Sequence, residues 1–145
     1  MNKPVIVERV FPVSSARMWK ALTDKNEMKQ WYFDLPEFKA VVGFEFTFMA
    51  GEDADHQFKH LCRITEAVPN KKIAYTWQYD GLAGNSVVAF ELVSEAKDST
   101  RLRITHEGLH TFPQIPDLDR KNFEKGWTSL VDGSLKKFLE GTLIT

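Results

Sequence analysis

His106-Glu107-Gly108-Leu109-His110 is the stretch of this chain that comes nearest to a known reactive pattern. Zinc peptidases carry H-E-x-x-H on a helix, where both rings share one face and the glutamate is general base beside a metal-bound water. Here the pattern begins in the alternating segment TRLRITHEG, contains a glycine and runs into a loop at Pro113. An extended backbone separates the two rings, and no third ligand follows at a helical spacing. No metal and no other cofactor is expected. Ser86 and Ser134 have no evident base, and a thiol in mid-strand, as at Cys62, is usually buried and inert. Asp53 and Asp55 fall in a turn and read as solvated. No G-x-S-x-G, P-loop or G-x-G-x-x-G occurs. No catalytic set is therefore expected. The polar groups that face inward are His60, Tyr75, His106 and Ser134, which suits orienting a bound molecule by hydrogen bonds. His106 acting as acid or base near Tyr75 is the enzymatic alternative.

The elements that must position these groups are legible from periodicity. VIVERVF reads as an edge strand, SSARMWKALTD as a short helix with a serine cap, and DKNEMKQW as a second. From about residue 37 the apolar period changes to two. FEFTFMAG, FKHLCRITEAV, KKIAYTWQY, SVVAFELV and TRLRITHEG alternate apolar and polar side chains between turn signals. Phe44, Phe46, Phe48, Tyr75, Trp77 and Phe90 project from one face of that meander. A half-apolar sheet has to bury its face, and FEKGWTSLVDGSLKKFLEG is the element long enough to cover it. At 100° per residue, Phe123, Trp127, Leu130, Val131, Ser134, Leu135 and Phe138 form the helix stripe. Gly126 and Gly133 lie on its flank. They either admit a neighbouring element or leave an opening between helix and sheet.

Composition narrows the partners. The 145 residues suit one domain, 1–145, with a net charge of −1 and interleaved signs, so no basic groove for nucleic acid is expected. No apolar run is long enough for a membrane span, so membrane insertion is not expected. The single cysteine fits a reducing compartment, and the expected location is cytoplasmic.

Five pieces occur together in order: MWKALTDKNEMKQW, GFEFTF, ITEAVPNKKIAYTW, TRLRITHEGL and FEKGWTSLVDGSLKKFLEG. With them the chain resembles the START-like, or SRPBCC, superfamily. Within it the chain resembles the branch named after the C-terminal domain of the activator of the Hsp-ninety ATPase (Aha-type). The resemblance covers about residues 5 to 141. It implies an α+β helix-grip fold, with a seven-stranded antiparallel curved sheet wrapped round the long C-terminal helix and two short helices after strand 1. It also implies a cavity between sheet and helix, since superfamily members bind lipids, hormones or polyketides and a minority are cyclases. The family's common double glycine before the helix tryptophan stands here as Lys125-Gly126.

The expected function is binding of a hydrophobic or aromatic small molecule, or a lipid, between sheet and helix. Phe46, Phe48, Trp77, Phe90, Trp127 and Leu130 would supply contact area. His60, Tyr75, His106 and Ser134 would orient the ligand, and Trp31 with Phe33 would form the rim. The alternatives are an interaction module that regulates a chaperone ATPase and a polyketide-cyclase-like enzyme using His106.

Overall fold

Two short polar side chains set the first turns. Ser14 caps α1 (Ser15–Thr23) by accepting from the Arg17 amide at 3.1 Å. Asp24 caps α2 (Lys25–Trp31) by accepting from the amides of Asn26 and Glu27 at 2.8 and 3.3 Å. The Asp24 N–H also donates to the Lys20 carbonyl, so one residue closes α1 and opens α2. The computed structural model describes residues 3–51 and 54–143, and Asp53 lies outside them.

Six strands follow the alternation: β1 (Val5–Phe11), β2 (Glu45–Gly51), β3 (Gln57–Val68), β4 (Lys72–Tyr79), β5 (Ser86–Ala96) and β6 (Ser99–Glu107). They form one antiparallel curved sheet in the order β1-β6-β5-β4-β3-β2. The expected seventh strand is absent among the described residues. Between α2 and β2 the chain passes Pro36, which has no N–H to give a ladder, and Gly43 at φ 95°. Single bonds from Gly43 N–H to the Ile64 carbonyl and from Ile64 N–H to the Phe44 carbonyl hold this segment to β3 instead.

The long helix is continuous from Arg120 to Leu143 but not uniform. It comprises α3 (Arg120–Ser129), a wider π-type stretch (Leu130–Leu135) and α4 (Lys136–Leu143). The reason lies in its buried residues: Trp127, Val131, Leu135 and Leu139 recur at intervals of four. An ordinary α-helix turns 40° too far at each such step, so an unbroken α-helix would carry Leu139 off the sheet. Widening one turn keeps all four inward. The same widening turns Ser134 outward, which corrects its expected place on the inner stripe. No helix among the described residues is long and apolar enough to cross a membrane.

Candidate functional site

Inward residues of β2, β3 and β4 meet the helix differently at the two ends of the sheet. Toward one end the interior is filled. Phe46 meets Tyr75 edge to face at 5.0 Å, Tyr75 lies 5.7 Å from Phe90, and Phe90 meets Trp127 edge to face at 5.7 Å. The Tyr32 and Tyr75 hydroxyls share a hydrogen bond of 2.6 Å there, and burial pushes both phenols well above their ordinary pKa. The Trp31 indole donates to the Ala21 carbonyl at 2.8 Å, so this ring is fixed in the core and does not form a rim.

Toward the other end the helix and sheet diverge and leave an open cleft of about 560 Å³. Its sheet wall is Phe58 and His60 from β3 with Trp77 and Tyr79 from β4. Its helix wall includes Phe123, Gly126, Trp127 and Leu130, and Phe33 and Leu118 close the sides. Asp117, Asn122, Lys125 and Ser129 supply a polar margin of both signs.

Of the residues expected to contact a ligand, Phe33, His60, Trp77, Trp127 and Leu130 line this cleft. Phe46, Phe48, Tyr75, Phe90 and His106 are buried behind it and are not among its lining, and Ser134 is exposed. Phe48 is covered by Phe33, whose ring stacks on it at 3.8 Å. Phe58 and Tyr79 were not expected. The signal for both was present, since Phe58 continues the inward series His60, Cys62, Ile64, and Tyr79 continues Ile73, Tyr75, Trp77. The flanking glycines either admit a neighbouring element or leave an opening, and the structure separates the two. A Cβ built at Gly126 or at Gly133 meets nothing within 4 Å, so no neighbouring element approaches either glycine. Gly126 instead borders the cleft.

The two buried histidines are held in single states. Trp127 Nε1–H donates to His106 Nδ1 at 3.0 Å, and an indole nitrogen can only donate. The neutral ring therefore carries its proton on Nε2 and donates it to Ser86 Oγ at 2.8 Å. The Ser86 hydroxyl donates in turn to the Trp77 carbonyl at 2.8 Å. Burial pushes the His106 pKa down to about 3. With both nitrogens committed and the ring fully buried, no lone pair is left for acid–base work. His60 donates from Nδ1 to the Phe58 carbonyl at 2.9 Å. Burial lowers its pKa to about 4, against the opposing pull of the Phe58 and Phe48 carbonyls. Burial also raises the Cys62 thiol and Tyr79 phenol, so each keeps its proton. His106 is the penultimate residue of β6 and His110 lies in a 3-10 turn (Leu109–Thr111) beyond Gly108 at φ 86°. Among the described residues no group of three or more His, Cys, Asp or Glu is placed to hold a metal ion.

Comparison with known proteins agrees with this architecture. The family model for Activator of Hsp90 ATPase homolog 1-like protein matches residues 12–140. No curated protein matches the chain. Among solved structures, protein MLL2253 from Mesorhizobium loti is 26% identical over 97% of this chain and 98% of its own, with a TM-score of 0.76. CalU16 from Micromonospora echinospora is 20% identical over 95% of this chain and 74% of its own, with a TM-score of 0.73. The Aha1 dimer from Colwellia psychrerythraea is 20% identical over 92% of each chain, with a TM-score of 0.65. The chain therefore has the START-like helix-grip fold and belongs to the family of Activator of Hsp90 ATPase homolog 1-like proteins.

Proposed function

We propose that this chain binds an apolar, ring-bearing small molecule in the cleft between α3 and the β3–β4 end of the sheet. The observation that carries the reading is the cleft itself, about 560 Å³ walled by Phe33, Phe58, Trp77, Tyr79, Phe123 and Trp127. Small-molecule sites run from roughly 300 to 1,000 Å³ and pair apolar walls with a few placed polar groups. Here rings outnumber aliphatic chains in the walls, which favours a flat, aromatic ligand over an acyl chain. The test is titration of the protein with a panel of polycyclic aromatic and lipid probes, followed by quenching of Trp77 and Trp127 emission. Saturable binding at one site per chain is expected. A panel without any saturable member overturns the reading.

The family match favours a second reading, regulation of a chaperone ATPase by surface contact. Its test is ATP turnover by an Hsp90 with and without the chain. Unchanged turnover and no co-purification would remove it.

A further inference from the structure

Trp77 and Tyr79 sit two residues apart on β4, both facing the cleft. The Trp77 Nε1–H donates to Tyr79 Oη at 2.9 Å. The direction is fixed, because an indole N–H has no lone pair to accept with. The tyrosine oxygen is thus the acceptor, and its own O–H proton is directed elsewhere. Among the described residues no acceptor receives that proton. The other polar side chain of the sheet wall, His60, has its Nδ1–H committed to the Phe58 carbonyl. Ring contacts hold the phenol from three sides: Phe58 at 5.5 Å, His60 at 4.8 Å and Phe112 at 5.1 Å. Burial keeps Tyr79 protonated and His60 neutral at pH 7, so the sheet wall presents a hydroxyl donor and no charge. Burying an unpaired ligand charge against such a wall is costly, whereas a neutral oxygen acceptor finds its partner.

We propose that the Tyr79 hydroxyl, aimed by Trp77, is the specificity determinant of the cleft and selects flat ring ligands bearing a neutral oxygen acceptor, of the ketone, quinone or ester class, over plain hydrocarbons. The proposal rests on the cleft being the binding site. It assigns Tyr79 direct contact with the ligand and Trp77 a positioning role.

The experiment compares 9-fluorenone with fluorene, which share one skeleton and differ in the carbonyl. Each is titrated into the wild-type protein and into Tyr79→Phe. One hydrogen bond of ordinary strength gives roughly a tenfold preference for fluorenone in the wild type. Tyr79→Phe is expected to abolish the preference, so that the variant binds the two probes with equal affinity. A second measurement needs no variant: the carbonyl stretch of bound fluorenone should move to lower wavenumber than in a hydrocarbon solvent. Equal affinities for the two probes in the wild type overturn the proposal alone and leave the cleft as a binding site. So does a preference that survives in Tyr79→Phe, or an unshifted carbonyl band. Failure of both probes to saturate the wild type overturns the proposal together with the binding reading on which it rests.

Discussion

Trp127 on α3 donates its indole N–H to Nδ1 of His106 on β6, and this 3.0 Å bond ties the helix to the strand beside the β1 edge of the sheet. It converts the most reactive-looking residue of the chain into a structural one. His106 passes the bond on through Ser86 to the Trp77 carbonyl, so four residues from three strands and the helix are linked through buried groups. A buried network of this kind is costly to break at any one point, because each loss leaves a neighbour unsatisfied.

Trp127→Phe removes the donor while keeping a large ring in place. His106 Nδ1 is then a buried acceptor without a partner, and a stability loss of about 1–3 kcal/mol is expected by urea denaturation. In a double-mutant cycle with His106→Leu, the two changes should couple by about 1 kcal/mol or more. Additive effects would mean that the bond contributes nothing of its own.

The histidines also set a pH dependence. His106 and His60 titrate at about 3 and about 4 in the folded chain and near 6.5 when unfolded. Their folded values are the lower ones, so the unfolded state takes up protons first. The stability they contribute is fully present above about pH 6.5 and falls as the pH drops below it. Between pH 7 and pH 5 each ring should account for about 2 kcal/mol of lost unfolding free energy. His60→Gln should roughly halve that loss. An undiminished loss in this variant would assign the effect to other groups.

The cleft makes a prediction about Gly126. A Cβ there meets no atom within 4 Å and a longer side chain extends into the cleft margin, while the helix gains a better helix former. Gly126→Leu should therefore raise stability by roughly 0.5–1 kcal/mol and lower affinity for an aromatic probe at least tenfold. Gly133→Ala is also without a neighbour but lies away from the cleft, so it should leave probe affinity unchanged. Equal probe binding in wild type and Gly126→Leu would show that the cleft is not the site.

How much of this was legible beforehand depends on the range of the interaction involved. Strands β2 to β6 announced themselves through alternation, because a sheet with one buried face writes its geometry directly into a period of two. Asp24 and the Ser14-Ser15 pair marked their helix ends for the same local reason, and the structure selects Ser14 as the cap. Which inward ring borders space and which borders another ring was not legible. Phe46 and Phe58 have the same pattern on neighbouring strands, and only the path of the helix leaves Phe58 beside the cleft and Phe46 in the core. The role of His106 was hidden likewise, since its partners Ser86 and Trp127 lie 20 and 21 residues away in the chain. A constant 100° turn places Ser134 on the inner stripe, and the wide turn places it outside. The spacing of Trp127, Val131, Leu135 and Leu139 carried the warning.

That spacing leads to a deletion test. If the wide turn at Leu130–Leu135 exists to keep four buried residues aligned at intervals of four, removing Gly133 should let it close into ordinary α-helix. The buried series would then run at intervals of four, three and four, which an unstrained α-helix presents on one face. The Arg9–Asp132 pair lies before the deletion and is exposed on both sides, so its loss or retention matters by no more than about 1 kcal/mol. A variant lacking Gly133 should keep its urea midpoint within about 1 kcal/mol of wild type and retain probe binding. Deleting Lys137 from the regular turn of α4 instead swings Leu139, now 1% exposed, about 100° away from the sheet. That variant should lose about 2–5 kcal/mol, the range for removing a buried leucine from a core. If the Gly133 deletion is the more damaging of the two, the wide turn is not a response to residue spacing.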